Sequence, residues 1–186
     1  MARFFKTIFT LITVAIILIT GFYFARQFVI RKIYPLTYEA DIMSQAKVYD
    51  LDPYFVCAVI WAESGFDENA ESSRGARGLM QIMPDTGQWV AEKNDIESFH
   101  IDDLYEPDVN IMLGCWYLKY LENRFDGDIT LILAAYNGGP NRVAEWLKQS
   151  DYSDGETLHT IPLTETKEYV EKVLMAYEIY QTYYSF

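Results

Sequence analysis

The chain has 186 residues, half of them apolar (51%), enough for one well-packed domain with an appendage and too few for two large domains. It carries 15 Lys and Arg against 27 Asp and Glu. This acidity speaks against a nucleic-acid partner, which needs a positive footprint, and fits a solvated surface.

The first predicted element is a membrane span. Residues 7–25 carry no charge between Lys6 and Arg26, and as a helix they would extend about 28 Å, close to the hydrocarbon thickness of a bilayer. The segment leaves through Gly21-Phe22-Tyr23-Phe24-Ala25. Such a bulky aromatic exit suits an interfacial belt and lacks the small residues of a signal cleavage site, which favours an uncleaved anchor over a removed leader. Five basic residues (Arg3, Lys6, Arg26, Arg31, Lys32) flank it, so the remainder holds 10 basic against 27 acidic residues, a net charge of −17. The expected division is residues 1–35 as anchor and short linker, ending at Pro35, and residues 36–186 as one domain.

Within that domain the pattern predicts a helix over 38–49, with Tyr38, Ile42, Ala46 and Tyr49 at helical spacing. Asp52-Pro53 reads as an N-cap followed by proline at the first helical position. The apolar run from Phe55 to Ala62 then makes a buried helix that carries Glu63 in its last turn. The negative end of the helix dipole and an apolar approach both raise a carboxyl pKa there, which suits a general acid. Residues 65–77 read as a polar loop, 84–93 as a helix, 94–106 as irregular, and 107–124 as a long helix. Asp128 caps a helix over 129–136, Gly138-Gly139-Pro140 is a turn, and Val143, Trp146 and Leu147 mark a short helix. Residues 150–163 form a loop, and Thr164 opens a last helix with Tyr169, Val173, Ala176 and Tyr180 on one face. With no strand of real length, the fold class is all-α, a compact bundle of about seven helices with a cleft.

Cys57 and Cys115 sit in apolar helical contexts and read as free buried thiols, although an outward-facing domain would permit a bridge if their helices touch. His100 and His159 have no partners at ligand spacing, so no metal site is expected, and no phosphate loop or other cofactor motif is present.

Five blocks fall in a telling order: Glu63-Ser64-Gly65-Phe66; Gly78-Leu79-Met80-Gln81-Ile82-Met83-Pro84; Pro107-Asp108-Val109-Asn110-Ile111 with Gly114, Trp116, Tyr117 and Leu118; Ala134-Ala135-Tyr136-Asn137-Gly138-Gly139-Pro140; and Ile161-Pro162-Leu163-Thr164-Glu165-Thr166. Together, over roughly residues 38–180, they resemble the catalytic domain of the soluble-type (SLT) lytic transglycosylases, relatives of goose-type lysozyme that cleave peptidoglycan. The resemblance implies a lysozyme-like helical fold and a cofactor-free reaction on peptidoglycan glycan strands, with 1,6-anhydro-muramic acid as the product end. It implies Glu63 as the catalytic acid and then base, with the Tyr136 hydroxyl close to its carboxyl. Ser72, Gln81, Met83, Asn137, Glu165 and Tyr169 match positions that line the family's sugar cleft. All but Gln81, a polar residue amid apolar ones, have a competing reading: core for Met83 and Tyr169, a helix C-cap for Asn137, a first-turn dipole partner for Glu165, and the neighbouring Ser73 in place of Ser72.

A wall-cleaving domain must face outward, whereas the basic residues around the span mildly favour the opposite orientation. Two other functions compete: a goose-type muramidase using water, and a non-catalytic glycan-binding or assembly module. No wall-binding repeat is legible, so the anchor would bring the domain to its substrate; protein partners are not written in the sequence.

Overall fold

The computed structural model describes residues 1–186, the side chain of Ala2 excepted. The chain divides into two compact units, Met1–Pro35 and Leu36–Phe186.

The first unit is one helix, α1 (Ala2–Ile33). Its apolar stretch has a mean hydropathy of 2.4 and none of that stretch is buried, so by length and composition it can cross a membrane. Threonines at positions 7, 10 and 13 return their hydroxyls to the carbonyls four residues back, which hides polar atoms inside the helix.

The second unit is all-α among the described residues: α2 (Glu39–Tyr49), α3 (Pro53–Ser64), α4 (Pro84–Lys93), α5 (Pro107–Arg124), α6 (Ile129–Gly138), α7 (Pro140–Trp146) and α8 (Thr164–Tyr183). A 3-10 helix, Ile101–Tyr105, lies inside the stretch expected to be irregular. Prolines lead α3, α4, α5 and α7 because the missing N–H is one of the first-turn donors that has no helical partner anyway. Asp52 and Asp128 cap α3 and α6 by accepting from Tyr54 N and Leu131 N, both at 2.9 Å.

Helix α3 runs through the centre, packed on α8 and α2, while α5 packs on α2, α4 and α6. Val56, Cys57, Ala58, Val59 and Ile60 are all fully buried. Removing Val56, Val59 and Ile60 from water contributes about 1.5–3 kcal/mol each, which explains why this helix shows no polar face. Cys57 and Cys115 are free and buried, and burial pushes both thiols up, that of Cys115 to about 12. Helix α6 continues through Gly138, two residues further than the sequence pattern indicates. It stops where Gly139 adopts φ 92° and Pro140 starts α7. Asn137 is therefore a helical residue and not a cap.

Candidate active site

Glu63 stands in the last turn of α3, and the chain reverses just after it because Gly65 takes φ 63° as the helix cap. Ser64 fixes this corner. Its hydroxyl reaches the carbonyl oxygens of Leu79 (2.8 Å) and Ile60 (3.2 Å) and accepts from Phe66 N (3.1 Å). The Glu-Ser pair thereby ties the helix that carries the carboxyl to the Gly78–Met83 block.

That block is held from the other side by Asn110 on α5, which is completely buried. The Asn110 amide donates to the carbonyls of Arg77 (2.9 Å) and Leu104 (2.7 Å), and its oxygen accepts from Met80 N (2.7 Å). Gly78 has φ 73°, and a Cβ there would run into the Leu104 carbonyl and the Asn110 amide, so glycine is required. Gly114 leaves the room that the Met80 side chain fills. Gln81 itself lies at φ 48°, and two short antiparallel bridges, Glu71 with Arg77 and Arg77 with Ile82, close the loop before it.

These restraints surround an open cavity of about 300 Å³ lined by Glu63, Ser72, Gln81, Met83, Tyr136, Asn137 and Glu165, with Ser73, Arg74 and Ala76. Seven of the eight residues singled out in the sequence meet there. Ser72 accepts from Ala76 N (2.9 Å) and Arg74 N (3.3 Å), which leaves its own O–H available to a ligand acceptor. Gln81 commits its amide N–H groups to the carbonyls of Ala70 and Gly78, both at 3.0 Å, so its oxygen is what it offers the cavity. Met83 is 41% exposed, on the cavity side rather than in the core. Asn137 Oδ1 accepts from Thr166 Oγ1 (2.7 Å), which leaves the Asn137 amide hydrogens free for a ligand. Glu165 lies 3.6 Å from the Arg74 guanidinium, and both side chains are largely exposed, an ion pair across the mouth. Ser73 also lines the cavity, beside Ser72.

Tyr169 is the eighth and does not line the cavity; the residue is only 8% exposed. It lies behind Glu63, near enough to favour the ionised carboxyl. Its enclosed hydroxyl nevertheless has no hydrogen bond of good geometry among the described residues, so the two groups are in near contact without a made bond. The Tyr136 hydroxyl donates to the Met80 carbonyl (2.8 Å). It stays within the field of Glu63, since burial first and then that carboxylate hold its pKa well above the ordinary range.

Burial pushes the Glu63 carboxyl from 4.5 up to about 7, with the Tyr169 hydroxyl and the Lys172 ammonium pulling the other way. Sequence reasoning missed Lys172. It donates to the Ala62 carbonyl (2.5 Å) and lies 5.2 Å from the Trp61 ring, at the negative end of α3. The signal was its place one turn after Tyr169 on α8, the same helix face.

A helical bundle with one enclosed glutamate at a helix end, lining an open cavity, is lysozyme-like in architecture. The chain belongs to the Transglycosylase SLT domain family, which matches residues 41–159. It is 33% identical over 154 residues to the soluble lytic murein transglycosylase of Salmonella typhimurium, covering 81% of this chain and 24% of that protein. It is 34% identical over 119 residues to membrane-bound lytic murein transglycosylase D of Escherichia coli, covering 63% and 26%. Among solved structures, the 70 kDa soluble lytic transglycosylase of Escherichia coli superposes with a TM-score of 0.75 at 30% identity, over 83% of this chain and 25% of that one. An inactive Glu-to-Gln mutant of lytic transglycosylase Slt from Pseudomonas aeruginosa gives a TM-score of 0.72 at 36% identity, over 80% and 25%. The chain thus spans about a quarter of the length of these relatives.

Proposed function

We propose that residues 36–186 are a peptidoglycan lytic transglycosylase domain that cleaves the β-1,4 bond between N-acetylmuramic acid and N-acetylglucosamine. The observation that carries this reading is Glu63, a carboxyl with a pKa of about 7 lining the cavity. At neutral pH such a group is poised both to give and to take a proton. Glu63 protonates the glycosidic oxygen as the C1–O bond breaks, while the muramic 2-acetamido oxygen stabilises C1. The carboxylate left behind then removes the proton of the muramic 6-hydroxyl, whose oxygen attacks C1 and closes the 1,6-anhydro ring.

One acid suffices for this sequence, whereas most glycosidases use two. The other carboxylate of the cavity, Glu165, is paired with Arg74 at the mouth, which supports the one-carboxylate route. Ser72, Gln81 and Asn137 offer a donor, an acceptor and a donor to sugar amide and hydroxyl groups; Met83 and Glu165 complete the binding surface. Tyr169, behind the carboxyl, favours its ionised form, and Tyr136 packs beside it with its hydroxyl on the Met80 carbonyl. Helix α1 and a membrane-bound relative support a single-pass anchor, and it is the wall-cleaving reaction that requires the domain on the outer side of a bacterial membrane.

The test is digestion of purified sacculi by the full chain in detergent, followed by mass spectrometry of the new sugar ends. Anhydro-muramic ends are expected. Reducing muramic ends would assign a water-using muramidase instead, and no cleavage would assign a binding module.

A further inference from the structure

Outside the cavity, four aromatic side chains gather on α4 and α5, none of them fully buried: Trp89, Trp116, Tyr117 and Tyr120 each keep a minor part of their surface exposed. They form an ordered strip. Tyr136, which lines the cavity, meets Tyr117 at a centroid distance of 5.5 Å. Tyr117 meets Tyr120 at 6.0 Å with rings 17° apart, and Tyr120 meets Trp116 at 5.8 Å with rings 5° apart. Trp89 stands edge-on to all three, at 83°, 88° and 78°, and holds the parallel set in place. At the far end lies a second cavity of about 200 Å³, lined by Trp116 and Tyr120 together with Tyr49, Lys119 and Asn123.

An aromatic group of this size left in contact with water marks a contact surface. Its chemistry selects the occupant. Parallel ring faces with polar groups at their edges match a pyranose, which has apolar C–H faces and an equatorial belt of hydroxyl and amide groups. Asn123 supplies a hydrogen-bond donor beside the rings, Lys119 is paired with Glu122 and donates to the Asp50 carbonyl (3.4 Å), and Arg124 donates to the Tyr120 hydroxyl (2.9 Å) and to Asn141 Oδ1 (2.9 Å), fixing the strip to α7. The spacing is fixed by one helix, since Trp116 and Tyr120 are one turn apart on α5.

We propose that this strip and its cavity form a distal subsite for the β-1,4-linked glycan, holding the strand several sugars away from the bond at Glu63. The inference rests on the glycan-cleaving reading above and adds a determinant of strand length beyond the residues that line the Glu63 cavity.

The test uses the full chain in detergent carrying Glu63→Gln, so that ligand persists, with chitohexaose and chitobiose as probes. Isothermal titration is expected to show tighter binding of the hexamer, and Trp116→Ala or Tyr120→Ala is expected to erase that preference, a loss of about tenfold for the hexamer, the worth of one good aromatic contact. Hexamer binding is also expected to shift the tryptophan emission, and Trp116→Phe, which keeps the packing, is expected to reduce that shift. A length preference that survives Trp116→Ala and Tyr120→Ala would overturn the proposal, as would equal losses for both oligomers or no binding of either. Absence of sacculus cleavage by the native chain, with the hexamer preference and its loss in the variants intact, would remove the enzymatic reading and keep the subsite.

Discussion

Replacing Glu63 by glutamine should change stability in a pH-dependent way that follows from the enclosure of the carboxyl. The unfolded carboxyl titrates near 4.5 and the folded one near 7, so between those values the folded state binds the extra proton. Stability contributed by the neutral form is therefore complete below pH 4.5 and lost as pH rises through 7. Every pH unit separating the two titrations corresponds to about 1.4 kcal/mol, so the ionised carboxylate destabilises the fold by about 3 kcal/mol above pH 8. Glu63→Gln removes this penalty while keeping the side-chain shape. The variant should thus be more stable than the native chain by about 3 kcal/mol at pH 8.5 and close to equal at pH 4.5. Urea unfolding of the full chain in detergent, followed by circular dichroism at several pH values, measures the difference. A stability gap independent of pH, or a variant less stable at pH 8.5, would refute the claim that desolvation dominates at Glu63.

Lys172→Met removes the cation that favours ionised Glu63, so the alkaline limb of the cleavage rate should move to higher pH, read from a pH profile on sacculi. Asn110→Ala leaves the Arg77 and Leu104 carbonyls and Met80 N without their buried partner and should cost about 3 kcal/mol by urea denaturation, with cleavage lost before global unfolding. Asp52→Ala removes the α3 cap and the acceptor of the Tyr177 hydroxyl (2.5 Å), for a loss of about 1–2 kcal/mol in the same assay.

Helix starts were readable because proline and aspartate act locally: Asp52-Pro53, Pro84, Pro107 and Asp128 each open an element by satisfying or removing first-turn donors. The end of α6 was less readable, since Asn137-Gly138 is a good stop signal in isolation. Packing on α8 carries the helix on to Gly139, where positive φ is free. The 3-10 turn at Ile101–Tyr105 has no apolar period of its own; buried Leu104 and the hydrogen bond from Asn110 to the Leu104 carbonyl hold it from a distance.

The motif residues were legible as a set, and the cavity brings seven of them together. Their partners were not. That Gln81 would adopt a left-handed backbone, that Tyr136 would hydrogen-bond to Met80, and that Lys172 would cap the helix behind Glu63 all depend on contacts between segments far apart in sequence. Tyr169 shows the same limit: one helical face fits a core position and a cleft position equally well, and only the packing of α8 on α3 turns it inward behind the carboxyl.

The most direct test of the central claim is the chemistry of the ends released from sacculi by the native chain and by Glu63→Gln at pH 7. The account predicts 1,6-anhydro-muramic ends from the native chain and a fall of at least about a hundredfold in the variant, the usual scale for removing a general acid. Anhydro ends formed equally fast without the Glu63 carboxyl would contradict it.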